Sequence, residues 1–398
     1  MKIKLYAYIA ALTCGTTLLN NAVAQTQSTT DGRQGNTITT AVPFLLITPD
    51  ARSGAMGDVG VAISPDANAT HSNPAKLAFV KDPYGFGLSY SPWLQKLVPD
   101  INLAYLNGFY KLDDRNTLGS SLRFFSLGNI QFVDENNALQ GEGNPNELAF
   151  DVSFARSFGE NFSLGTALRY IYSNLSSGQV FNNQETQPAS AVAADISAFY
   201  TKDAALFSKN ATLSAGLDIS NIGTKMNYTE SGPKYFLPTN MRLGGSATIH
   251  ADDYNDFSFS LDLNKLLVPT PPETDNVTGE IIAGKDPNRS VPAGIFGSFT
   301  DAPGGGKEEL QEISYAAGAE YWYNHQFAIR AGYFYENPNK GNRKYLTLGL
   351  GLRYNIVDLD FSYLLANQQT SPLANTLRFS LLFNFAAPTS TSSSIPGR

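Results

Sequence analysis

The feature that most constrains this chain is an alternation of apolar and polar residues that recurs along most of its length. In ELAFDVSFARSF, residues 147–158, the even positions from Leu148 to Phe154 are apolar and the odd positions between them are small or polar. In YLTLGLGLRY, residues 345–354, four leucines alternate with threonine, glycine and arginine. Period-two alternation is typical of a β-strand with one apolar face. After residue 24 no apolar run is long enough for a spanning helix, so a place in a membrane would require a barrel of strands.

Fourteen segments read as strands. They are residues 84–90, 101–110, 117–127, 148–158, 162–172, 191–200, 212–220, 240–250, 256–264, 312–323, 326–336, 344–354, 356–366 and 375–385. An even number of strands, most of them near the ~9–11 residues that a tilted transmembrane strand needs, is typical of a bacterial outer-membrane barrel. The sequence therefore predicts an all-β fold, a 14-stranded antiparallel transmembrane barrel.

The connections between these strands alternate in length. Residues 128–147, 173–190, 221–239 and 265–311 form long connections, and each follows an odd-numbered strand. The connections after even-numbered strands are short turns, with the segment 201–211 as the longest of them. Long loops at one end and tight turns at the other indicate an outer-membrane barrel whose long loops face the exterior.

Charged residues fall on the face of each strand that the pattern assigns to the barrel interior. On the lipid face each would cost roughly 2–4 kcal/mol near the bilayer midplane, whereas charges of both signs in a lumen can pair. Tyrosines near strand ends, among them Tyr84, Tyr90 and Tyr105, are expected in the aromatic girdles. The predicted interior charges are Arg123, Asp151, Arg169, Asp195, Asp218, Arg242, Asp262, Glu320, Arg330, Arg353, Asp358, Asp360 and Arg378.

Candidate catalytic groups are few and badly spaced. Ser246 and His250 share a face, but four residues along a strand separate them by about 13 Å, too far for a hydrogen bond. Asp358 and Asp360 share a face and read as lumenal charges, with Arg353 and Arg378 as expected partners. The sequence predicts no enzyme, no metal site and no cofactor. The acidic chain, with net charge −7 and no basic block, also argues against a nucleic-acid partner.

Apolar residues in two exterior connections suggest a surface that binds another protein. The alternative is that they cover the mouth of the barrel or dip into the lipid interface. The candidate partner-binding and cargo-binding residues are Trp93, Leu94, Leu97, Leu266, Leu267, Val268, Ile295, Phe296 and Phe299.

A segment before the first strand carries a family resemblance. TAVPFLLITPDARSGAMGDVGVA, residues 40–62, and NPAKLAF, residues 73–79, resemble the amino-terminal signature of the PorV family of the type IX secretion system of Bacteroidota. That family belongs to the wider FadL-like group, whose fourteen-stranded barrels carry an amino-terminal hatch. The resemblance assigns a hatch or plug role to Pro43, Phe44, Asp50, Arg52, Gly54, Gly57, Asp58, Asn73, Pro74 and Ala75.

The resemblance implies a carrier of proteins in the cell outer membrane, surrounded by outer-membrane lipid and lipopolysaccharide. Members of the family bind an SprA-type translocon barrel, collect cargo through its C-terminal signal domain and deliver it to a PorU-type attachment complex. Two alternatives stay open: a FadL-like channel for hydrophobic small molecules, and a lipid A deacylase or its helper. The small and charged residues of the hatch predict a plug, with Asp50, Arg52, Asp58 and Asp66 meeting the lumenal charges.

The predicted order along the chain begins with an export signal. Residues 1–24 combine two early lysines, an apolar run and Ala22-Val23-Ala24, which is the pattern of a cleaved signal peptide. Its removal would take away Cys14, the single cysteine, and leave no residue for a disulfide or a thiolate metal site. The remaining predicted parts are an N-terminal segment and periplasmic or lumenal hatch, 25–80, the barrel, 81–386, and a flexible tail, 387–398.

Overall fold

The computed structural model describes residues 36–93, 100–133, 139–175, 180–181, 184–275, 277–366 and 376–385. Fourteen antiparallel strands close into one barrel, which confirms the predicted fold class. The predicted signal peptide and C-terminal tail lie outside the described residues. The barrel strands are β1 Tyr84–Pro92, β2 Asn102–Lys111, β3 Asn116–Ser126, β4 Asn146–Ser157, β5 Phe162–Asn174, β6 Ala189–Leu206, β7 Lys209–Gly223, β8 Asn240–His250, β9 Asn255–Leu266, β10 Ser314–Tyr323, β11 Phe327–Tyr335, β12 Lys344–Tyr354, β13 Val357–Ala366 and β14 Leu377–Phe385.

The first and last strands close the barrel. Leu88 on β1 lies opposite Leu106 on β2 and also opposite Leu381 on β14. Each of the fourteen strands therefore has two hydrogen-bonded neighbours, so the backbone donors and acceptors of the wall are satisfied within the wall. Among the described residues, no helix is long and apolar enough to cross a membrane.

The alternation along each strand separates a lipid face from a lumen face. In β1, Phe86, Leu88 and Tyr90 are exposed on the outside, and the residues between them are buried. The predicted interior charges are buried, apart from Arg353 at the short-turn end. The girdle position predicted for Tyr105 is wrong: its side chain is 1% exposed and its hydroxyl is 2.7 Å from Thr70 Oγ1 inside the lumen.

Tight turns join the strands at one end. Between β6 and β7 the turn has only two residues, Phe207 and Ser208, and both have positive φ, 52° and 62°. This backbone twist matches that of the flanking strands. The predicted connection 201–211 is therefore wrong. The strand pairing continues through residues such as Lys202 and Asp203, which are exposed to solvent and no longer follow the apolar alternation.

The chain before β1 runs through the barrel. We call residues 36–83 the hatch segment. It contains a 3-10 helix Pro43–Leu46, α1 Ala51–Ala55, α2 Ala69–Ser72 and a second 3-10 helix Pro74–Phe79. At the long-loop end, the backbone N–H of Ala41 donates to the carbonyl of Phe236; at the short-turn end, Lys111 Nζ donates to the carbonyl of Val80. The hatch segment therefore crosses the lumen from its exterior end to its periplasmic end.

Other elements lie on the exterior connections. The connection between β9 and β10 carries the largest set: the paired strands Glu273–Thr274 and Ile281–Ala283, α3 Val291–Gly297 and α4 Gly306–Gln311. We call residues 267–313 the large exterior loop. Two further hairpins pair Ile130–Val133 with Leu139–Gly143 and Val180–Phe181 with Gln184–Glu185, and a 3-10 helix Pro338–Lys340 precedes β12.

The hatch segment approaches the wall so closely that one wall position requires glycine. A Cβ atom added to Gly165 on β5 would overlap the backbone atoms of Pro74 and Ala75. Gly245 on β8 offers a comparison, because a Cβ there has only the carbonyl oxygen of Ser214 near it, at 3.7 Å. The two glycines occupy the same kind of strand, one facing the hatch and one facing outward.

We expect Gly165→Val to destabilise the folded barrel by about 1–3 kcal/mol, the usual cost of forcing extra methyl groups into a packed interior. Gly245→Val is the matched control and should leave stability nearly unchanged. Thermal unfolding of both purified variants, followed by heat-dependent gel mobility, measures the difference. Equal unfolding temperatures for the two variants would show that the hatch does not press on the wall at this position.

Candidate functional site: the hatch-filled lumen and the exterior loops

Asp50 begins the first helix of the hatch. Its Oδ1 accepts a hydrogen bond of 2.8 Å from the backbone N–H of Ser53, as an N-cap residue of α1 does. The next backbone N–H, that of Ala51, donates to Ser380 Oγ on the wall at 2.8 Å. The prediction that Asp50 meets a lumenal charge is wrong, because its carboxylate serves the start of the helix.

Arg52 joins the hatch to the wall. Its Nε and Nη2 donate to the two oxygens of Glu320 at 3.0 and 2.8 Å, and its Nη1 donates to Asp66 at 2.9 Å. Glu320 also accepts from Arg330 Nε at 2.6 Å, and Arg330 Nη1 reaches Asp360 at 2.6 Å. A buried chain of alternating charges thus runs from the hatch across β10 and β11 to β13. Bidentate guanidinium–carboxylate pairs of this kind fix geometry as well as charge.

Asp58 forms the second charged link. Arg378 Nη1 donates to Asp58 at 3.1 Å, and the hydroxyl of Tyr345 lies 2.5 Å from the same carboxylate. The guanidinium of Arg378 lies 5.7 Å from the ring centre of Trp93. Arg52 and Asp58 therefore meet lumenal charges as predicted.

One of the two predicted partners of Asp358 and Asp360 is wrong. Arg353 donates to Asp358 at 2.9 Å, as predicted. Arg378, however, pairs with Asp58 of the hatch, and Asp360 takes Arg330 as its partner instead. Arg378 is thus taken by Asp58, a hatch residue far away in sequence, and is not the partner of Asp358 or Asp360.

The Asn73-Pro74-Ala75 step fastens the lower hatch. Asn73 Oδ1 accepts from the backbone N–H of Ala75 at 3.0 Å, while its Nδ2 donates to the carbonyls of Val61 and Ala198 at 2.9 and 3.1 Å. Ser163 Oγ donates to the carbonyl of Ala75 at 2.7 Å. Asparagine suits this buried position because its amide accepts and donates at once, which a carboxylate cannot do.

The remaining predicted hatch residues are apolar side chains and glycines, which have roles in packing and in backbone geometry. Phe44 is 1% exposed and stacks on Phe125 of β3 at 6.0 Å between ring centres, while Pro43 is exposed at the edge of a cavity. Gly57 has φ +72° and donates its N–H to Thr347 Oγ1 at 2.8 Å. A Cβ at Gly54 would overlap the side chain of Arg378. Phe44, Gly54 and Gly57 therefore contact the wall or permit the contact.

A second buried network stiffens the wall beside an irregularity. Arg169 on β5 contacts Asp151, Asp195 and Asn221, with its Nη2 2.9 Å from Asp195 Oδ2. Asn221 has φ +61° where the pairing of β6 with β7 shifts register, and its N–H donates to Asp195 at 2.7 Å. The carboxylate of Asp195 thus holds a bulge in the wall.

The hatch divides the free space in the lumen. A cavity of about 460 Å³ lies on the exterior side, beneath the connection 336–343, and a second of about 310 Å³ lies at the periplasmic side. No residue lines both cavities. Arg52, Asp66, Arg353 and Asp358 line the periplasmic cavity, and Asp58 lines the exterior one. The free space in these two cavities is therefore interrupted, and charged residues line part of each cavity.

The large exterior loop is braced by ion pairs. Lys265 on β9 binds Glu309 and Glu312 at 3.0 and 2.6 Å, and Lys340 binds Glu312 and Glu308 at 3.0 and 2.6 Å. Asn36 of the hatch segment donates to Glu308 at 3.0 Å. Burial alone would raise the pKa of Glu308, but the hydrogen bonds from Lys340, Gly304 and Asn36 and the charge of Lys340 together outweigh it and lower that pKa. Glu308 therefore remains charged, and α4 is tied to the wall, to the next connection and to the hatch.

The predicted partner-binding residues divide into two groups. Phe296 in α3 and Phe299 just after it are 79% and 45% exposed, and Ile295 and Leu266 are half-buried. The expected exposure is wrong for Trp93, Leu267 and Val268, which pack at the mouth of the barrel and are at most 8% exposed. Leu94 and Leu97 lie outside the described residues.

The sequence did not predict the glutamates whose ion pairs hold the large exterior loop. Glu308 and Glu309 lie in a short loop helix and Glu312 is its C-cap residue, and their lysine partners are 28 to 47 residues away. The run KEELQE offered only a weak signal, since charged helices are usually solvated.

Catalytic and metal chemistry find no support in the geometry of the described residues. His250 Nδ1 is 2.7 Å from Asp256 Oδ1, whereas Ser246 is hydrogen-bonded to Ser260 at 2.8 Å. Within the described ranges, no group of three or more His, Cys, Asp or Glu residues is placed to hold a metal ion.

Comparison with known structures places the fold. The toluene transporter TodX of P. putida matches with 12% identity over 85% of this chain and 99% of its own, at a TM-score of 0.51. The R. pickettii toluene transporter TbuX has 13% identity over 84% and 98%, with a TM-score of 0.45. A P. aeruginosa FadL homologue has 11% identity over 88% and 100%, with a TM-score of 0.43. At these identities the likeness shows the fold alone. Of these three structures, TodX supports that statement, since its TM-score is above 0.5.

Comparison of sequences identifies the family. No curated protein matches the chain. The family model described as type IX secretion system protein PorV matches residues 29–273, more than half of the chain, and this range includes the whole hatch segment. The chain is therefore an outer-membrane β-barrel that belongs to the PorV family of type IX secretion system proteins.

Proposed function

We propose that this protein is the outer-membrane shuttle of a type IX secretion system. It binds an SprA-type translocon barrel and the C-terminal signal domain of cargo proteins, and it delivers the cargo to a PorU-type attachment complex. In this role it works within outer-membrane lipid and lipopolysaccharide, and it carries no reaction of its own. The family match supports the secretion part of the proposal.

The observation that carries the proposal is the closed lumen. The hatch segment crosses the barrel from end to end and is held by Arg52, Asp58 and Asn73. A protein of this construction cannot pass cargo through its own interior. Such a protein binds its partners on the exterior surface. There the large exterior loop is held in place by ion pairs and exposes Phe296 and Phe299. Aromatic side chains on a rigid base are typical anchors of protein interfaces.

A channel for hydrophobic small molecules is the second candidate, because the fold resembles that of a toluene transporter. Ligand sites for apolar molecules are lined mainly by hydrophobic side chains. Here Arg52, Asp66, Arg353 and Asp358 line the periplasmic cavity, which has no lining residue in common with the exterior one. Within the described part of the chain, these two cavities therefore do not join into the continuous apolar path that a hydrocarbon channel needs.

We expect the double substitution Phe296→Ser, Phe299→Ser to weaken binding to the translocon or cargo by roughly tenfold or more, because exposed aromatic anchors dominate interface energies. The measurement is affinity capture of the tagged protein from its native outer membrane, with quantitative mass spectrometry of a giant barrel and of proteins with C-terminal signal domains. Phe207→Ser is the matched control, since Phe207 is 88% exposed at the opposite end of the barrel.

Capture of neither a giant barrel nor such cargo by the unaltered protein would refute the shuttle. Equal losses for the loop variant and for Phe207→Ser would refute the role of the large exterior loop, while leaving the shuttle itself standing.

We also expect deletion of residues 43–79 to turn the closed barrel into an ion-conducting pore. The deletion removes the segment that separates the two cavities, and the remaining lumen is lined by charged residues that water can solvate. Conductance in planar bilayers and sensitivity of cells to large antibiotics measure the effect. The Phe296→Ser, Phe299→Ser variant, whose lumen is intact, should stay as tight as the parent. Unchanged conductance after the deletion would contradict the plug.

A further inference from the structure

The exterior lumenal cavity carries one positive charge that the protein does not pair. Six charged residues line it. Each of the three acids and two of the three bases form ion pairs: Asp58 with Arg378, Glu312 with Lys265 and Lys340, and Glu336 with Arg343. The third base, Arg242 on β8, forms no ion pair with any described residue.

Arg242 is held so that its terminal nitrogens stay available. Its side chain is buried, with 7% of the residue exposed. When the amide oxygen of Asn240 faces Arg242, it accepts from Nε at 3.3 Å, and the amide nitrogen donates to the carbonyl of Lys265 at 3.0 Å. Nη1 and Nη2 have no hydrogen-bond partner among the described residues. A buried guanidinium with unused donors presents the planar fork that matches a carboxylate.

One carboxylate of the wall lies close to Arg242 without pairing to it. Asp218 on β7 is directly opposite Arg242 in the strand register, yet the two do not approach within ion-pair distance. Both carboxylate oxygens of Asp218 are buried and have no hydrogen-bond partner. Asp218 lies on the same, lumenal face of the wall as Arg242, so it moderates the positive charge of the cavity and competes with any anion that binds there.

The rest of the lining favours a ligand that carries hydroxyl groups. Hydroxyl and amide side chains share the lining with apolar residues, which are Ile38, Pro43, Leu46, Ile47, Leu266 and Phe334. The volume of about 460 Å³ falls within the ordinary range of small-molecule sites. An alkyl chain would bury these polar groups without hydrogen bonds, which is costly. The hydroxyl and amide residues are Thr37, Thr39, Thr40, Thr48, Asn240, Asn264, Ser314 and Tyr345.

We infer that the exterior lumenal cavity is a binding site for a small hydroxyl-bearing carboxylate of the uronic acid class, with Arg242 binding the carboxylate. The site lies above the hatch and beneath the exterior connections, so the ligand enters from the outer surface of the cell. This inference does not depend on the proposed shuttle function.

The test uses the full-length purified protein in detergent and D-glucuronate as the probe, with affinity measured by titration calorimetry. D-glucuronamide keeps the ring and hydroxyls but lacks the charge, and hexanoate keeps the charge but lacks the hydroxyls. We expect both to bind at least about tenfold more weakly than glucuronate. Glucuronamide loses the charge-assisted hydrogen bonds to Arg242, and hexanoate loses the hydrogen bonds of the hydroxyls and leaves the polar lining groups unpaired. Equal affinities for glucuronate and glucuronamide, or tighter binding of hexanoate, would overturn the assignment, as would the absence of binding at millimolar glucuronate.

Variants locate the site. Arg242→Gln should weaken glucuronate binding by about tenfold or more and leave glucuronamide unaffected. Asp218→Asn should tighten glucuronate binding, since it removes the competing carboxylate. Arg156→Gln is the matched control, because Arg156 is an exposed arginine at the short-turn end of β4. Unchanged affinity in Arg242→Gln refutes the role of Arg242. If that variant fails to fold, the comparison of glucuronate with glucuronamide on the parent protein still decides whether the charge is recognised.

Discussion

The pairing of Arg52 with Glu320 is the interaction on which the rest of the structure depends. A closed barrel satisfies its backbone in the bilayer, but the inward face of its wall is then polar and must be solvated by water or by protein. Here one arginine of the hatch meets a carboxylate that already serves Arg330. Removing one member of such a buried network leaves an uncompensated charge, at a cost of about 3–5 kcal/mol. The hatch and the wall are therefore one folding unit.

The same constraint explains the composition of the hatch. A segment inside a narrow barrel must supply partners for wall charges and must also lie close to the wall backbone. Arg52 and Asp58 do the first, and wall glycines such as Gly165 permit the second. A segment without a nucleophile or a metal ligand is consequently the most constrained part of the molecule. With the interior occupied, the loops that the wall and hatch hold in place are the surface left for the proposed recognition of other proteins.

The strands could be predicted from sequence because a lipid face on one side and a lumen on the other impose period two on every strand. The prediction failed where that environment ends: β6 continues past Tyr200 into water, where the alternation has no reason to persist. It also failed for Tyr105, whose amphipathic ring suits a girdle equally well but whose hydroxyl meets Thr70. The burial of Trp93, Leu267 and Val268 depends on neighbours far away in sequence, which periodicity does not contain.

The barrel itself does not determine what this protein does. TodX shares the fold at 12% identity and is a toluene transporter, and at that identity the likeness shows the fold alone. In this chain, buried charged pairs join the hatch to the wall, and the two lumenal cavities have no lining residue in common. Function in such a family depends on what occupies the interior and what the loops present. The ion pairs of Lys265 and Lys340 hold the large exterior loop, and Asn36 joins that loop to the beginning of the hatch. A loop fixed to both wall and plug loses little conformational freedom on binding a partner, and this preorganisation is what a binding surface on a closed barrel requires.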